Sequence, residues 1–346
     1  MEDKIIVTPL EKKKRIPGWV WAVVTVFFII VLAFWTLGIG LVLLIREART
    51  SFTASIETER QYNEIYVSGS GSKKIVLIPL RGLIMDSGES PWRRMNVVRE
   101  VSEKLRKAGK DESVAAVILQ VDSPGGGVTA SDILADKVRK FRDSGKIIVV
   151  SMEDLAASGA YYVSAPSNYI MAHPTTITGS IGVLMQGFNI QGLLEKVGVE
   201  DVTFKSGVMK DILSPAREMT EEERKVIQRV VDYMYRRFIS VVAEGRNLSL
   251  EQVEAIADAR IFTSDEAVLL GLVDSIGFID DTIEVTKKLA ELEEARIIRY
   301  KTESTLSELL LMRIGQINPL AEVMNSKFSE VFSSGGFRLM YLWKVN

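Results

Sequence analysis

A serine set among small residues, Ala156-Ala157-Ser158-Gly159-Ala160, is the first place in the sequence suited to nucleophilic chemistry. Small neighbours let a second chain approach the hydroxyl closely. A helix beginning there would aim its N–H groups at the same point and lower the energy of a developing oxyanion. Tight helix packing around a small-residue patch is the plainer alternative, and the segment by itself leaves both open. Upstream, Asp122-Ser123-Pro124-Gly125-Gly126-Gly127 offers backbone N–H groups in a glycine-rich turn. Such a turn can be an oxyanion hole, a phosphate cradle or simply structural. It lacks both the Gly-x-x-x-x-Gly-Lys and the Gly-x-Gly-x-x-Gly spacing of nucleotide sites.

A serine nucleophile needs a base. The chain of 346 residues has one histidine, His173, and no cysteine. This excludes disulfides, thiolate metal sites, multi-histidine metal centres and cysteine nucleophiles. His173 precedes Pro174 and reads as a loop residue. A lysine amine can replace imidazole when burial favours its neutral form. Lys210 lies in the mostly apolar stretch Gly207-Val208-Met209-Lys210-Asp211-Ile212-Leu213, with Lys205 a competitor and Asp211 a ready ion-pair partner. Composition does not choose among them.

The elements that would position these residues alternate. Ile75–Leu80, Val114–Val121 and Ile147–Ser151 are apolar, β-branched runs, and Ser131–Phe141 between them has helical periodicity. Strand, helix and strand in this order predict a parallel sheet with right-handed crossovers. Thr220 and Glu223 predict a capping box ahead of a long helix, whose stripe Ile227, Val230, Val231, Met234, Phe238, Val241 and Val242 reads as core.

Ahead of this domain, residues 16–45 carry no charge, long enough for a retained transmembrane helix where about 20 apolar residues suffice. Lys12, Lys13, Lys14 and Arg15 precede it, so the positive-inside rule places the N-terminus in the cytoplasm and the catalytic domain outside it. With 43 basic and 45 acidic residues, no bulk charge favours nucleic acid.

In order along the chain, five segments resemble the motifs of the signal peptide peptidase A family, in its short single-domain form. They are Asp122–Gly127, Ala156–Tyr162, Thr178-Gly179-Ser180-Ile181-Gly182-Val183, Lys210–Pro215 and Arg217-Glu218-Met219-Thr220. The resemblance spans about residues 75–295. It implies a Clp-protease/crotonase-like α/β fold with a parallel sheet core and flanking helices, preceded by one N-terminal transmembrane helix. It also implies a Ser–Lys dyad, with Ser158 as nucleophile and Lys210 as general base. Ser180 would hold the lysine amine, and Gly126 and Gly159 would form the oxyanion hole, with Gly125 the rival to Gly126. No metal or other cofactor is implied. The implied substrates are remnant signal peptides and other hydrophobic peptides, and the implied assembly is a homo-oligomeric ring in which two subunits can complete one site.

The expected organisation is therefore a cytoplasmic basic segment (1–15), a transmembrane helix in contact with lipid (16–45), a stalk (46–72), a peptidase domain (73–300) and a C-terminal extension (301–346). Within the extension, Phe337 to Val345 reads as a terminal strand, an oligomer contact or a substrate-like tail that enters the peptide groove. A related membrane Ser–Lys protease with one specific membrane partner, and a non-catalytic membrane scaffold, stay open beside the main reading. A crotonase-type acyl-CoA enzyme would need a glutamate pair and gains nothing from an anchor.

Overall fold

The computed structural model describes residues 62–86, 96–302 and 338–342, together with eight helical positions between Thr25 and Ile39. Residues 1–61 form a unit of their own. Its eight described positions are exposed, and they include Phe27, Leu32 and Trp35. No helix among the described residues is long and apolar enough to cross a membrane. The expected segments 1–15 and 46–61, most of 16–45, and residues 303–337 and 343–346 of the extension lie outside the described residues.

In the second unit, the apolar run of β3 (Val114–Ser123) is buried on both faces, which is why it reads as nearly continuous hydrophobicity rather than alternation. In chain order the other strands are β1 (Tyr62–Ser68), β2 (Lys74–Arg81), β4 (Gly125–Gly127), β5 (Ile147–Ala157), β6 (Tyr169–Ala172) and β7 (Ile177–Gly179). They continue with β8 (Leu184–Gln186), β9 (Ile261–Thr263), β10 (Ser275–Ile276), β11 (Arg296–Thr302) and β12 (Arg338–Leu342). The main sheet runs β1-β11-β2-β3-β5-β6-β10, with β7 joined to β5 and β9 joined to β7. Its centre is parallel, and the antiparallel pairs are β1 with β11 and β7 with β9. A small second sheet has the order β4-β12-β8.

Helices cover both faces of the main sheet. Residues of α1 (Val97–Lys110), α2 (Val128–Asp143), the short α3 (Gly159–Ser164) and the second half of α5 (Glu221–Arg246) share one core with Val117, Leu119 and Val121. The other helices in order are α4 (Gln191–Val197), α6 (Leu250–Glu254), α7 (Ser264–Leu269) and α8 (Ile279–Leu289), and Val208–Asp211 is a 3-10 turn. On the opposite face, Ile75, Leu77, Ile118 and Val149 pack with half-buried Ile279 and Ile283 of α8.

Three local differences from the sequence expectation affect the site. First, β5 continues six residues beyond Ser151, because it changes neighbour: Val149–Met152 pair with β6 and Leu155–Ala157 with β7. The strand therefore carries the chain directly to Ser158. Second, residues 62–68 form β1 against β11 rather than the end of a stalk, since Tyr62 buries its ring and donates its hydroxyl to Glu103 at 2.8 Å. Third, α5 has the predicted capping box, with the Thr220 N–H donating to Glu223 Oε2 at 2.8 Å, but its stripe divides. Phe238, Val241 and Val242 are buried, while Ile227, Val230, Val231 and Met234 are only half-buried.

Candidate active site

Ala157 of β5 stands opposite Gly179 of β7, and the next residue on each strand is a serine. Ser158 and Ser180 therefore leave two adjacent strands, whose backbones lie about 5 Å apart, side by side. Both adopt positive φ, 54° and 50°, a conformation that costs a non-glycine residue about 1–3 kcal/mol and persists only where surrounding bonds impose it. Those bonds are present. The Ser158 N–H donates to the Gly179 carbonyl at 2.8 Å, and the Ser180 N–H donates to the Arg260 carbonyl at 2.7 Å. Ser158 is 1% exposed and Ser180 5%.

The glycine-rich turn is the short strand β4, with a neighbour on each side. Ile84 donates its N–H to the Gly125 carbonyl and accepts from the Gly127 N–H, both at 2.9 Å. Strand alternation then turns the polar groups of Gly126 the other way, toward its antiparallel partner Tyr341 of β12. The Gly125 N–H is occupied by the Ser123 hydroxyl at 3.1 Å. Between the two glycines considered for the oxyanion hole, this leaves the amide of Gly126 facing the site. A Cβ at Gly126 would meet the Ile84 carbonyl oxygen at 2.0 Å, and one at Gly159 would meet the Tyr341 carbonyl oxygen and the Gly126 nitrogen at 3.0 Å each. Gly126, Gly159 and the Tyr341 carbonyl thus converge beside Ser158.

The chain's own C-terminal strand fills this place. β12 pairs with β4 on one side (Tyr341 with Gly126, Met340 with Gly127) and with β8 on the other (Met340 with Leu184, Leu339 with Met185). The Tyr341 ring is fully buried, 4.9 Å from the Tyr162 ring and 4.7 Å from the Phe238 ring between centroids. Its hydroxyl donates to the Met234 carbonyl at 2.9 Å. Tyr162 is fixed in turn, donating to Asp132 Oδ1 at 2.5 Å, while Arg237 Nη2 donates to the same oxygen at 2.7 Å. Burial and the Asp132 carboxylate hold the Tyr162 phenol well above its ordinary pKa, so it stays a donor.

Lys210 is not in this cluster. It lies exposed in the 3-10 turn, and its amine makes no hydrogen bond or ion pair among the described residues. Asp211 takes other partners, Lys205 Nζ and Arg217 Nε at 2.8 Å each, so Lys205 is committed and Lys210 is free. Arg217 also holds Glu223 at 2.5 Å, tying the turn to the first turn of α5. The guanidinium keeps Asp211 far below the carboxylate range and lowers Glu223 to about 2. Around the turn, Phe188, Leu193, Val197, Val202, Phe204 and Val208 are all exposed, Phe204 to 94%. His173 shares its Nδ1 with the Thr175 hydroxyl at 2.8 Å and packs edge-on against Phe278, as a loop residue would.

Several contributors carry no motif of their own. Ile84 and Arg260 act through backbone groups, which sequence does not single out. Tyr162 and Phe238 form the aromatic pocket. Tyr162 had a local signal, lying one helical turn after Ser158, and Phe238 was visible only as one more core position.

The description Peptidase family S49 matches residues 140–293. A putative signal peptide peptidase SppA of Enterococcus faecium is 40% identical over 278 residues, covering 79% of this chain and 81% of that protein. Protease 4 of Salmonella typhi is 36% identical over 238 residues, 68% of this chain but 38% of that longer protein. Among solved structures, a mutant ClpP1 from Listeria monocytogenes aligns with a TM-score of 0.39 at 17% identity, over 58% of this chain and 90% of that one.

Proposed function

The chain belongs to peptidase family S49, and from that premise we propose a membrane-anchored serine endopeptidase that cleaves signal peptides and other hydrophobic peptides through Ser158 and Lys210. The observation that carries the reading is the seating of β12. An extended peptide lies between β4 and β8, with one carbonyl beside Ser158, Gly126 and Gly159 and the side chain of that residue in an aromatic pocket. That is the pose of a substrate adding a strand to an open edge. Tyr341 stands where the residue donating the scissile carbonyl would stand.

In this mechanism the Ser158 hydroxyl attacks the carbonyl carbon and its proton passes to a neutral lysine amine. The negative oxygen rests on the Gly126 and Gly159 amides. The lysine returns the proton to the departing amine, giving an acyl-serine, and then draws a proton from the water that releases it. Ser180, next to Ser158, is suited to orient the amine. Lys210 reaches the site from a second copy. It is exposed on a segment whose apolar side chains a neighbouring subunit would cover, and its own carboxylate neighbour is already paired. The Clp-protease/crotonase-like assembly, the anchor at residues 16–45 and an extracytoplasmic catalytic domain belong to the same reading. Signal peptides enter as substrates through the name of the Enterococcus relative and the apolar anchor, which would hold the site near a bilayer.

The test is hydrolysis of a fluorogenic hydrophobic peptide by the full chain in detergent. The expected result is turnover that rises toward alkaline pH and is lost in Ser158→Ala and Lys210→Ala. Turnover undiminished in Ser158→Ala contradicts the reading, and an inert wild-type chain favours the non-catalytic scaffold.

A further inference from the structure

Among the described residues four hydroxyls are buried without a hydrogen-bond partner, those of Ser102, Ser131, Ser275 and Tyr300, and Ser131 is the one that stands at the cluster around Ser158. It lies in the first turns of α2, fully buried. A serine or threonine inside a helix ordinarily donates to the carbonyl four residues back, and this chain does so at Ser164 (to Ala160, 2.8 Å), Ser240 (to Arg236, 3.0 Å) and Thr286 (to Thr282, 2.6 Å). The Ser131 hydroxyl makes no such bond to the Gly127 carbonyl, which, at the N-cap, takes the backbone N–H of Ser131 instead. A buried unpaired hydroxyl destabilises the fold, so a position that keeps one beside a reaction centre calls for a reason.

Its surroundings supply one. The point at which a side chain on Gly159 would begin lies 2.5 Å from Ser131 Oγ, 3.0 Å from the Gly126 nitrogen and 3.0 Å from the Tyr341 carbonyl oxygen. The hydroxyl, the oxyanion amide and the carbonyl of the seated strand therefore border one small space. We propose that Ser131 supplies an additional donor to the oxyanion. The neutral carbonyl of a bound peptide is served by the Gly126 and Gly159 amides, and the Ser131 hydroxyl stays unpaired. When Ser158 adds to the carbonyl carbon, the oxygen becomes an anion and the Ser131 O–H turns to donate to it, keeping its proton throughout. A bond made only in the transition state accelerates turnover without tightening substrate binding. This inference rests on the peptidase reading of the same site.

The experiment uses the full chain in detergent, the fluorogenic peptide and a peptide aldehyde, whose adduct with a serine is tetrahedral. In Ser131→Ala, kcat is expected to fall by about tenfold to a hundredfold with KM within about twofold of wild type, and aldehyde affinity to fall by a similar factor. The thermal midpoint is expected to be unchanged or higher, because the substitution removes an unsatisfied group. Ser131→Thr, which keeps a hydroxyl, is expected to retain most of kcat. Wild-type kcat in Ser131→Ala overturns the proposal, as does a loss of kcat accompanied by a raised KM and a lower thermal midpoint, which marks a packing role. Activity that survives Ser158→Ala, or a wild type without activity, overturns the peptidase reading and this inference with it.

Discussion

Two regions of this molecule carry the proposed dyad, and they are built in opposite ways. Around Ser158, every group is buried and determined by backbone: two parallel strands end side by side, two serines are held at positive φ by amide bonds, and β4 is turned by Ile84 so that Gly126 faces the site. Around Lys210, the chain is exposed, apolar side chains face outward and order comes from one charge cluster, Lys205–Asp211–Arg217–Glu223. The first region is preorganised within one chain, so its geometry needs nothing from outside. The second has few buried contacts, the character of a segment completed by association. A dyad divided in this way would be inactive in an isolated subunit, which suits a peptidase that must not act before assembly.

The largest effects should come from removing either half. Ser158→Ala and Lys210→Ala are each expected to lower kcat by about 10³-fold or more, measured with the fluorogenic peptide, while thermal unfolding of the body stays near wild type. Next is the buried region alone. Gly159→Ala places a methyl 3.0 Å from both the Gly126 nitrogen and the seated carbonyl, and is expected to cost about 10²-fold or more in kcat. Gly126→Ala collides with the Ile84 backbone, so it should lower the thermal midpoint as well.

The exposed region should break more gently. Arg217→Ala removes the guanidinium that Asp211 and Glu223 share, leaving Asp211 with Lys205 and Glu223 with the Thr220 amide. It is expected to lower turnover about tenfold with little change in the melting of the main sheet. Acid should mimic it. Both carboxylates titrate below their ordinary values in the folded chain, so the order they give is complete above about pH 4.5 and is lost as pH falls toward about 2. Hydrogen exchange in residues 205–220 should rise over that window in wild type, and in Arg217→Ala it should start higher and rise less, because only the Lys205 and Thr220 bonds remain to be lost. The smallest effect is expected from the tail. Removing residues 337–346 vacates the groove and should raise peptide turnover a few-fold; unchanged or lower turnover would show that β12 does not restrain the site.

The same contrast explains what the sequence made legible. The parallel core was readable, because β3 and the start of β5 are apolar runs with no polar alternation and the capping box of α5 is a local signal. The continuation of β5 through Glu153 and Asp154 was not, since it depends on a change of neighbouring strand. Small neighbours marked Ser158 and Gly159 as candidates without deciding between a nucleophile and tight packing, and the resemblance supplied the choice. The preference for Gly126 over Gly125 needed Ile84 and Ser123, whose roles are hydrogen bonds from elsewhere in the chain. The spacing of Ser158 and Lys210 along one chain does not say which copy's side chains meet; only the family resemblance implied a site completed by two subunits, and the proposal of a divided dyad adds the exposure of the Lys210 turn.

The most direct measurement is complementation between inactive variants. Ser158→Ala and Lys210→Ala chains would be mixed in equal amounts, allowed to exchange subunits in detergent and assayed with the fluorogenic peptide. If the lysine acts across a subunit boundary, random mixing recovers about a quarter of wild-type activity. If serine and lysine act within one chain, the mixture stays as inactive as either variant alone, and the divided dyad is wrong.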